Sequence, residues 1–253
     1  GGVSFNSGVS CKMIQGDRGR ITAEQIEACI NPPDFYHSPR TRLVCLENTT
    51  NKGGGAVYDL EEIKKIRALC DRENLALHLD GARLWNALEV TGEDPKEYGA
   101  LFETISLCFS KGLGCPVGSV LIGSREQIHE ALRIRKVFGG GMRQAGYLAA
   151  AGSYALKHHR KDLSLDHKRA KEIAEVLENC SFVHEIQPVT TNIIIFSLKS
   201  DYDEVQFVQE LKEKQILIIG LGKGKLRMVT HRDYTQEHHT YLLTTLSKME
   251  VYE

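Results

Sequence analysis

Short apolar runs alternate with amphipathic stretches along most of the chain. TRLVCLE, from Thr41 to Glu47, predicts a strand. From Leu60 to Asn74, the residues Leu60, Ile63, Ile66, Leu69 and Cys70 recur at helical spacing, which predicts a helix with one apolar stripe. LALHL at 75–79 predicts a strand, ARLWNALEV at 82–90 a helix and TISLCF at 104–109 a further strand. VGSVLIG at 117–123 reads as a strand, and SREQIHEALRI at 124–134 as a helix that Ser124 is placed to cap. Strand–helix alternation of this kind argues for an α/β layer fold on a mostly parallel sheet.

The pattern changes near residue 150. A helix rich in small residues runs from Gln144 to about His158, and a long charged helix follows from Lys161 to Asn179. The remainder reads strand, helix, strand, strand, helix: TNIIIFSL at 191–198, EVQFVQELKEK at 204–214, ILII at 216–219, KLRMVT at 225–230 and QEHHTYLLTTLSKM at 236–249. The expected organisation is a large α/β domain over 1–150 and a smaller α+β domain over 151–253, with no internal repeat and no low-complexity linker.

Composition narrows the function classes. With 253 residues and 42% of them hydrophobic, the chain can bury a real core, and disorder is excluded. The 32 basic and 33 acidic residues leave no excess of cations for phosphates, so a nucleic-acid partner is not expected. NIIIF and ILII are far too short to cross a bilayer. No signal-peptide pattern is visible, and the chain opens on Gly1 rather than Met. The seven cysteines form no C-x-x-C pair. They read mostly as small buried hydrophobes of a reducing, cytoplasmic compartment, Cys108 in ISLCFS among them. His158-His159 and His238-His239 lie in polar helical contexts and read as solvated surface pairs; no metal is expected.

Two Gly-rich strings invite a nucleotide reading and fail it. GLGKGK at 220–225 has Lys225 where the dinucleotide fingerprint needs glycine, and Ile219 where a Walker A loop needs its first glycine. It reads as a tight turn between strands. GGG at 53–55 and at 139–141 read as flexible or closely packed loops.

HLDGAR at 78–83 and SKGLGCPVGS at 110–119 carry more. Asp80 falls at the C-terminal end of an apolar strand, the end at which open α/β sheets hold ligands. It can equally cap the helix that follows. Lys111 comes directly after the next apolar strand, at the same predicted edge of the sheet, although a lysine at a strand end is also a common solvated residue. A lysine that forms a Schiff base and an aspartate that protonates a pyridine nitrogen are the pair that pyridoxal phosphate chemistry requires.

LENTTNKGGG (46–55), NLALHLDGARLWNA (74–87), FSKGLGCPVGSVLIG (109–123), RKVFGGGMRQAGYLAAAG (135–152) and LRMVTH (226–231) together resemble the low-specificity L-threonine aldolases. These are fold-type-I pyridoxal phosphate enzymes of the β-eliminating lyase group. The strings occur in the family's order over nearly the whole chain. The resemblance implies pyridoxal 5′-phosphate as cofactor and retro-aldol cleavage of L-threonine or L-allo-threonine to glycine and acetaldehyde. It also implies a fold-type-I large domain with a small C-terminal α+β domain. Lys111 would be the Schiff-base lysine, and Asp80 the partner of the pyridinium nitrogen. Arg83 would lie beside the cofactor and the substrate carboxylate, and Arg227 would give the second carboxylate contact. His37, in HSPRT, matches a family histidine near the substrate hydroxyl, where a base must take a proton as the aldehyde leaves. Arg135, Lys136 and Arg143 match a basic loop near the phosphate and a neighbouring subunit. A homo-oligomer, dimer or tetramer, is implied.

The family's N-terminal portion, with its phosphate loop, a serine, a histidine and sheet strands, has no counterpart in these residues. The large domain is therefore expected to be incomplete, with Val9 to Gln15 matching a family strand and one internal sheet position unfilled. Two other readings stay open: another fold-type-I lyase or aminotransferase, or a catalytically incomplete remnant serving as a subunit or interaction module.

Overall fold

The apolar runs become two four-stranded sheets in a computed structural model that describes residues 2–249. Two short helices come first, α1 (Gly2–Ser7) and α2 (Ala23–Glu27), the second closed by a capping box between Thr22 and Gln25. The chain then runs β1 (Leu43–Glu47), α3 (Leu60–Arg72), β2 (Ala76–Gly81), α4 (Leu84–Thr91), α5 (Pro95–Leu101), β3 (Thr104–Cys108), β4 (Ser119–Gly123) and α6 (Arg125–Val137). The strands lie in the order β1-β2-β3-β4. The first three are parallel, and β4 turns back antiparallel to β3.

Two-residue alternation gives the parallel strands two distinct faces. Val44, Leu46, Leu77, Leu79, Ile105 and Leu107 are buried in one core with the stripe of α3, to which Tyr98 of α5 adds a fully buried ring. The opposite face carries Cys45, Glu47, His78, Asp80, Ser106 and Cys108, none of them fully buried. The polar positions that break the apolar runs thus collect on one open side of the sheet.

After α7 (Gly146–His158) and a 3-10 turn (Arg160–Asp162), α8 (Leu163–Glu178) leads to β5 (Val183–Ile186), β6 (Ile193–Leu198), α9 (Glu204–Glu213), β7 (Ile219–Gly222), β8 (Lys225–Val229) and α10 (Gln236–Lys248). This sheet is antiparallel throughout, in the order β5-β6-β8-β7. Ile194, Phe196 and Leu198 form a second core with α8, α9 and α10. Ile193 and Ile195, on the other face of β6, are buried as well. Burial on both faces is why this strand is a continuous apolar run rather than an alternating one.

Polar contacts join the two cores. Asn86 of α4 meets His167 of α8 at 3.0 Å. The Thr191 hydroxyl donates to the Gly55 carbonyl at 3.0 Å. Arg18 spans the seam, donating to Gly53 at 2.9 Å and to Pro188 at 2.7 Å. The GGG loop at 53–55 is therefore closely packed: a Cβ on Gly55 would lie 2.2 Å from Thr191 Oγ1, and its φ is +70°.

Several expectations need correction. Residues 9–15 form no strand; the segment is largely exposed and finds no ladder partner among the described residues. The four strands of the first sheet are hydrogen-bonded neighbours without a gap, so no internal position is open; the free edges are those of β1 and β4. ILII is not a strand over 216–219: β7 starts only at Ile219, because β8 offers pairing partners from there onward. GLGKGK is the hairpin turn, with positive φ at Lys223 and Gly224. The histidine pairs are not simply solvated. His239 is buried against Glu172 at 2.8 Å and the Tyr234 hydroxyl at 3.1 Å. His159 holds the Leu113 carbonyl at 2.7 Å.

Candidate active site

β1 and β2 end side by side: Glu47, the last residue of β1, and Asp80, next to last in β2, are register partners, and on the far side Asp80 faces Ser106 of β3. Asp80 does close the local turn, since Oδ1 accepts from the Ala82 N–H at 3.0 Å. Its other oxygen has no hydrogen-bond partner among the described residues. The cap of α4 is Arg83, which makes no side-chain capping bond, so its guanidinium is free to point elsewhere.

Lys111 sits in the turn after β3. The turn is held by Phe109 and Gly118 at 2.9 Å, Cys115 and Phe109 at 3.0 Å, and Gly114 and Lys111 at 2.8 Å. Gly112 lets this turn press against the neighbouring helices, since a Cβ there would lie 2.8 Å from Leu163. Lys111 Nζ donates to Cys108 Sγ at 3.0 Å.

Charge converges on this edge. Burial pushes the Glu47 carboxyl above its ordinary range, and the neighbouring Asp80 adds to the effect; a bond from the Asn51 backbone and the cations Arg83 and Lys111 oppose it. The Arg83 guanidinium is lowered by burial first and by Arg227 second. Arg227 comes from β8, in the other core, and its Nη1 donates to Asn51 Oδ1 at 2.8 Å, while its Nε is buried without a partner. Neither arginine has a carboxylate within ion-pair distance among the described residues. Two guanidiniums whose charges oppose each other, with no carboxylate paired to either, suit an anion.

A lysine amine, an aspartate with a free oxygen and Arg83 lie at the C-terminal edge of the parallel strands, and β8 of the other sheet adds Arg227. That donor set fits pyridoxal phosphate carrying an amino acid. The sequence matches the beta-eliminating lyase family over residues 1–201. The chain belongs to that family.

Its relatives within this lyase family include a low-specificity L-threonine aldolase of Arabidopsis thaliana, 37% identical over 251 residues, spanning 96% of this chain and 70% of the relative. The low-specificity L-threonine aldolase of Escherichia coli is 38% identical over 219 residues, 87% of this chain and 63% of that protein. Among solved structures, the threonine aldolase of Leishmania major aligns with a TM-score of 0.78 at 22% identity, covering 93% of this chain and 69% of that one. The histidinol-phosphate aminotransferase of Clostridium acetobutylicum aligns at 0.65 and 18%, covering 91% and 68%. The lyase chain therefore has the fold-type-I architecture.

The other expected residues are placed differently. His37 is exposed on the loop before β1, its ring 3.9 Å from that of Tyr36 and 5.4 Å from that of Phe35, and it contacts none of the residues above. Arg135 and Lys136 end α6, and Arg143 lies in the loop beyond; all three are exposed. Glu47, Asn51 and Cys108 were missed. Glu47 carries the same signal as Asp80, a carboxylate closing an apolar strand. Cys108 reads as a hydrophobe in sequence, yet it is half-buried on the open face. Asn51 shows itself only through Arg227, 176 residues away.

Proposed function

We propose that this chain carries the lysine-bearing part of a pyridoxal 5′-phosphate enzyme that cleaves L-threonine or L-allo-threonine to glycine and acetaldehyde. The observation that carries the reading is the placement of Asp80 at the end of β2 and Lys111 in the turn after the neighbouring β3, with Arg83 and Arg227 near enough for their charges to oppose each other. The relatives that are low-specificity threonine aldolases support the substrate class.

Bound there, the cofactor supplies a carbonyl that condenses with amines and a ring that accepts electrons. Lys111 is the amine that holds it. The free oxygen of Asp80 keeps the ring nitrogen protonated. Arg83 and Arg227 grip the carboxylate and fix the torsion about Cα, so that the Cα–Cβ bond rather than Cα–H lies in line for cleavage. His37 is the candidate to take the β-hydroxyl proton, directly or through a water. In this reading residues 1–150 hold the cofactor and 151–253 add Arg227 from the substrate side.

We also assign the active form to a homo-oligomer, dimer or tetramer. Val120, Leu121 and Ile122 of β4 and Ile134 and Val137 of α6 are exposed apolar residues and support that assignment. Arg135, Lys136 and Arg143 then serve as phosphate or neighbouring-subunit contacts. The seven free cysteines suit a reducing, cytoplasmic setting, and no helix among the described residues is long and apolar enough to cross a membrane.

The test is Lys111→Ala. In the wild type, borohydride reduction should fix the cofactor to the Lys111 peptide, and threonine should yield glycine and acetaldehyde. In the variant both should vanish while the far-ultraviolet circular dichroism is kept. Label at another lysine, or ammonia and a keto acid as products, would overturn the reading.

A further inference from the structure

Period-two alternation places Ser106 and Cys108 of β3 on the same open face as Asp80, which is opposite Ser106 in register. Three residues later the turn at 109–118 fixes the Lys111 backbone through its own hydrogen bonds. The side chain is another matter. A four-carbon stem leaves the amine many rotamers, and no carboxylate lies within ion-pair distance of Nζ among the described residues. What holds it is sulfur: Cys108 Sγ accepts from Nζ at 3.0 Å. A thiol is a weak acceptor, and evidence of its use is the short contact rather than its chemistry.

We propose that Cys108 is a positioning residue for Lys111, its sulfur restricting the amine that would hold the cofactor. The proposal rests on the reading of Lys111 given above. It predicts a role for acceptor character, which can be separated from the volume of the side chain. Serine keeps an acceptor at this position, valine keeps the bulk without one, and alanine keeps neither.

The experiment compares Cys108→Ser, Cys108→Val and Cys108→Ala with the wild type in the purified full chain. Pyridoxal 5′-phosphate is added, samples are reduced with borohydride at intervals, and the label at Lys111 is followed by peptide mass spectrometry. A second readout needs no cofactor: trace acetylation of Lys111 by acetic anhydride, scaled to the exposed Lys52. Val and Ala should slow the fixing of cofactor by roughly threefold to tenfold, the range one hydrogen bond carries, and should change the acetylation ratio. Ser should restore both. If Val matches the wild type while Ser does not, the sulfur only fills space and the proposal falls. If the wild type labels at Lys111 and all three variants label equally fast, this proposal falls alone. If the wild type takes no label at Lys111, the site reading falls with it.

Discussion

Asp166 and His167 are neighbours in sequence, both buried at the seam between the two cores, and their titrations oppose each other. Burial pushes the His167 imidazole down to about 4, with Lys171 adding to the effect. Burial pushes the Asp166 carboxyl up to about 6, against the pull of Arg169 and Arg232. As pH falls from about 6.5 towards 4, the unfolded chain takes up a proton at His167 that the folded chain refuses, so stability is lost. Over nearly the same window the folded chain takes a proton at Asp166 that the unfolded chain still releases. That contribution is therefore present below about 3.9 and lost as pH rises through about 6. Together they leave the seam nearly indifferent to mild acid. His167→Gln removes one side of the balance and keeps a side chain able to meet Asn86. Between pH 7 and pH 5 the variant should gain about 2 kcal/mol relative to wild type, measured from urea midpoints at the two values. An equal shift in both proteins would mean that His167 titrates normally. At this scale the sequence was legible where a polar residue interrupts an apolar run, as at Asp80 and Lys111. It was not legible where a residue counts as apolar by type, as Cys108 does, or where the partner is remote, as Asn51 is from Arg227.

Helices and strands with a full apolar stripe could be read directly from spacing. In α3, Leu60, Ile63, Ile66, Leu69 and Cys70 are all buried, with Asp59 capping the first turn. Ile66, wholly enclosed, should cost about 2–5 kcal/mol when replaced by alanine, seen as a lower denaturant midpoint; a smaller loss would mean that the core closes over the gap. The elements that escaped are those that bury little. In α5 only Tyr98 is buried, with Leu101 partly so, and there is no full stripe, although Asp94 and Pro95 mark its start. The single buried residue of α2 is Ile26. The edge strand β5 is half-exposed and carries His184 and Glu185 at its centre, which hides it among loops. Pattern reports what an element packs against, and these pack against little.

The division into two cores, one under a parallel sheet and one under an antiparallel sheet, follows the change of pattern in the sequence. α7 crosses residue 150, and its Ala155 packs with Leu113 and Cys115, so the change of pattern and the change of core do not fall at a single bond. Multi-angle light scattering of cofactor-loaded protein should give a mass of at least two chains; an active monomer would leave the apolar edge at β4 and α6 without the explanation offered for it. One feature of the seam reaches beyond the molecule. Arg83 starts α4 beside the first core and Arg227 sits on β8 of the second sheet; their charges oppose each other, and neither has a carboxylate at ion-pair distance among the described residues. In the proposed site, any small anion that fits relieves their repulsion, so chloride or phosphate in the surrounding buffer should compete for the seat assigned to the substrate carboxylate. An affinity measured for this protein is then a property of the solution as much as of the ligand, and the choice of counter-ion becomes part of the binding constant.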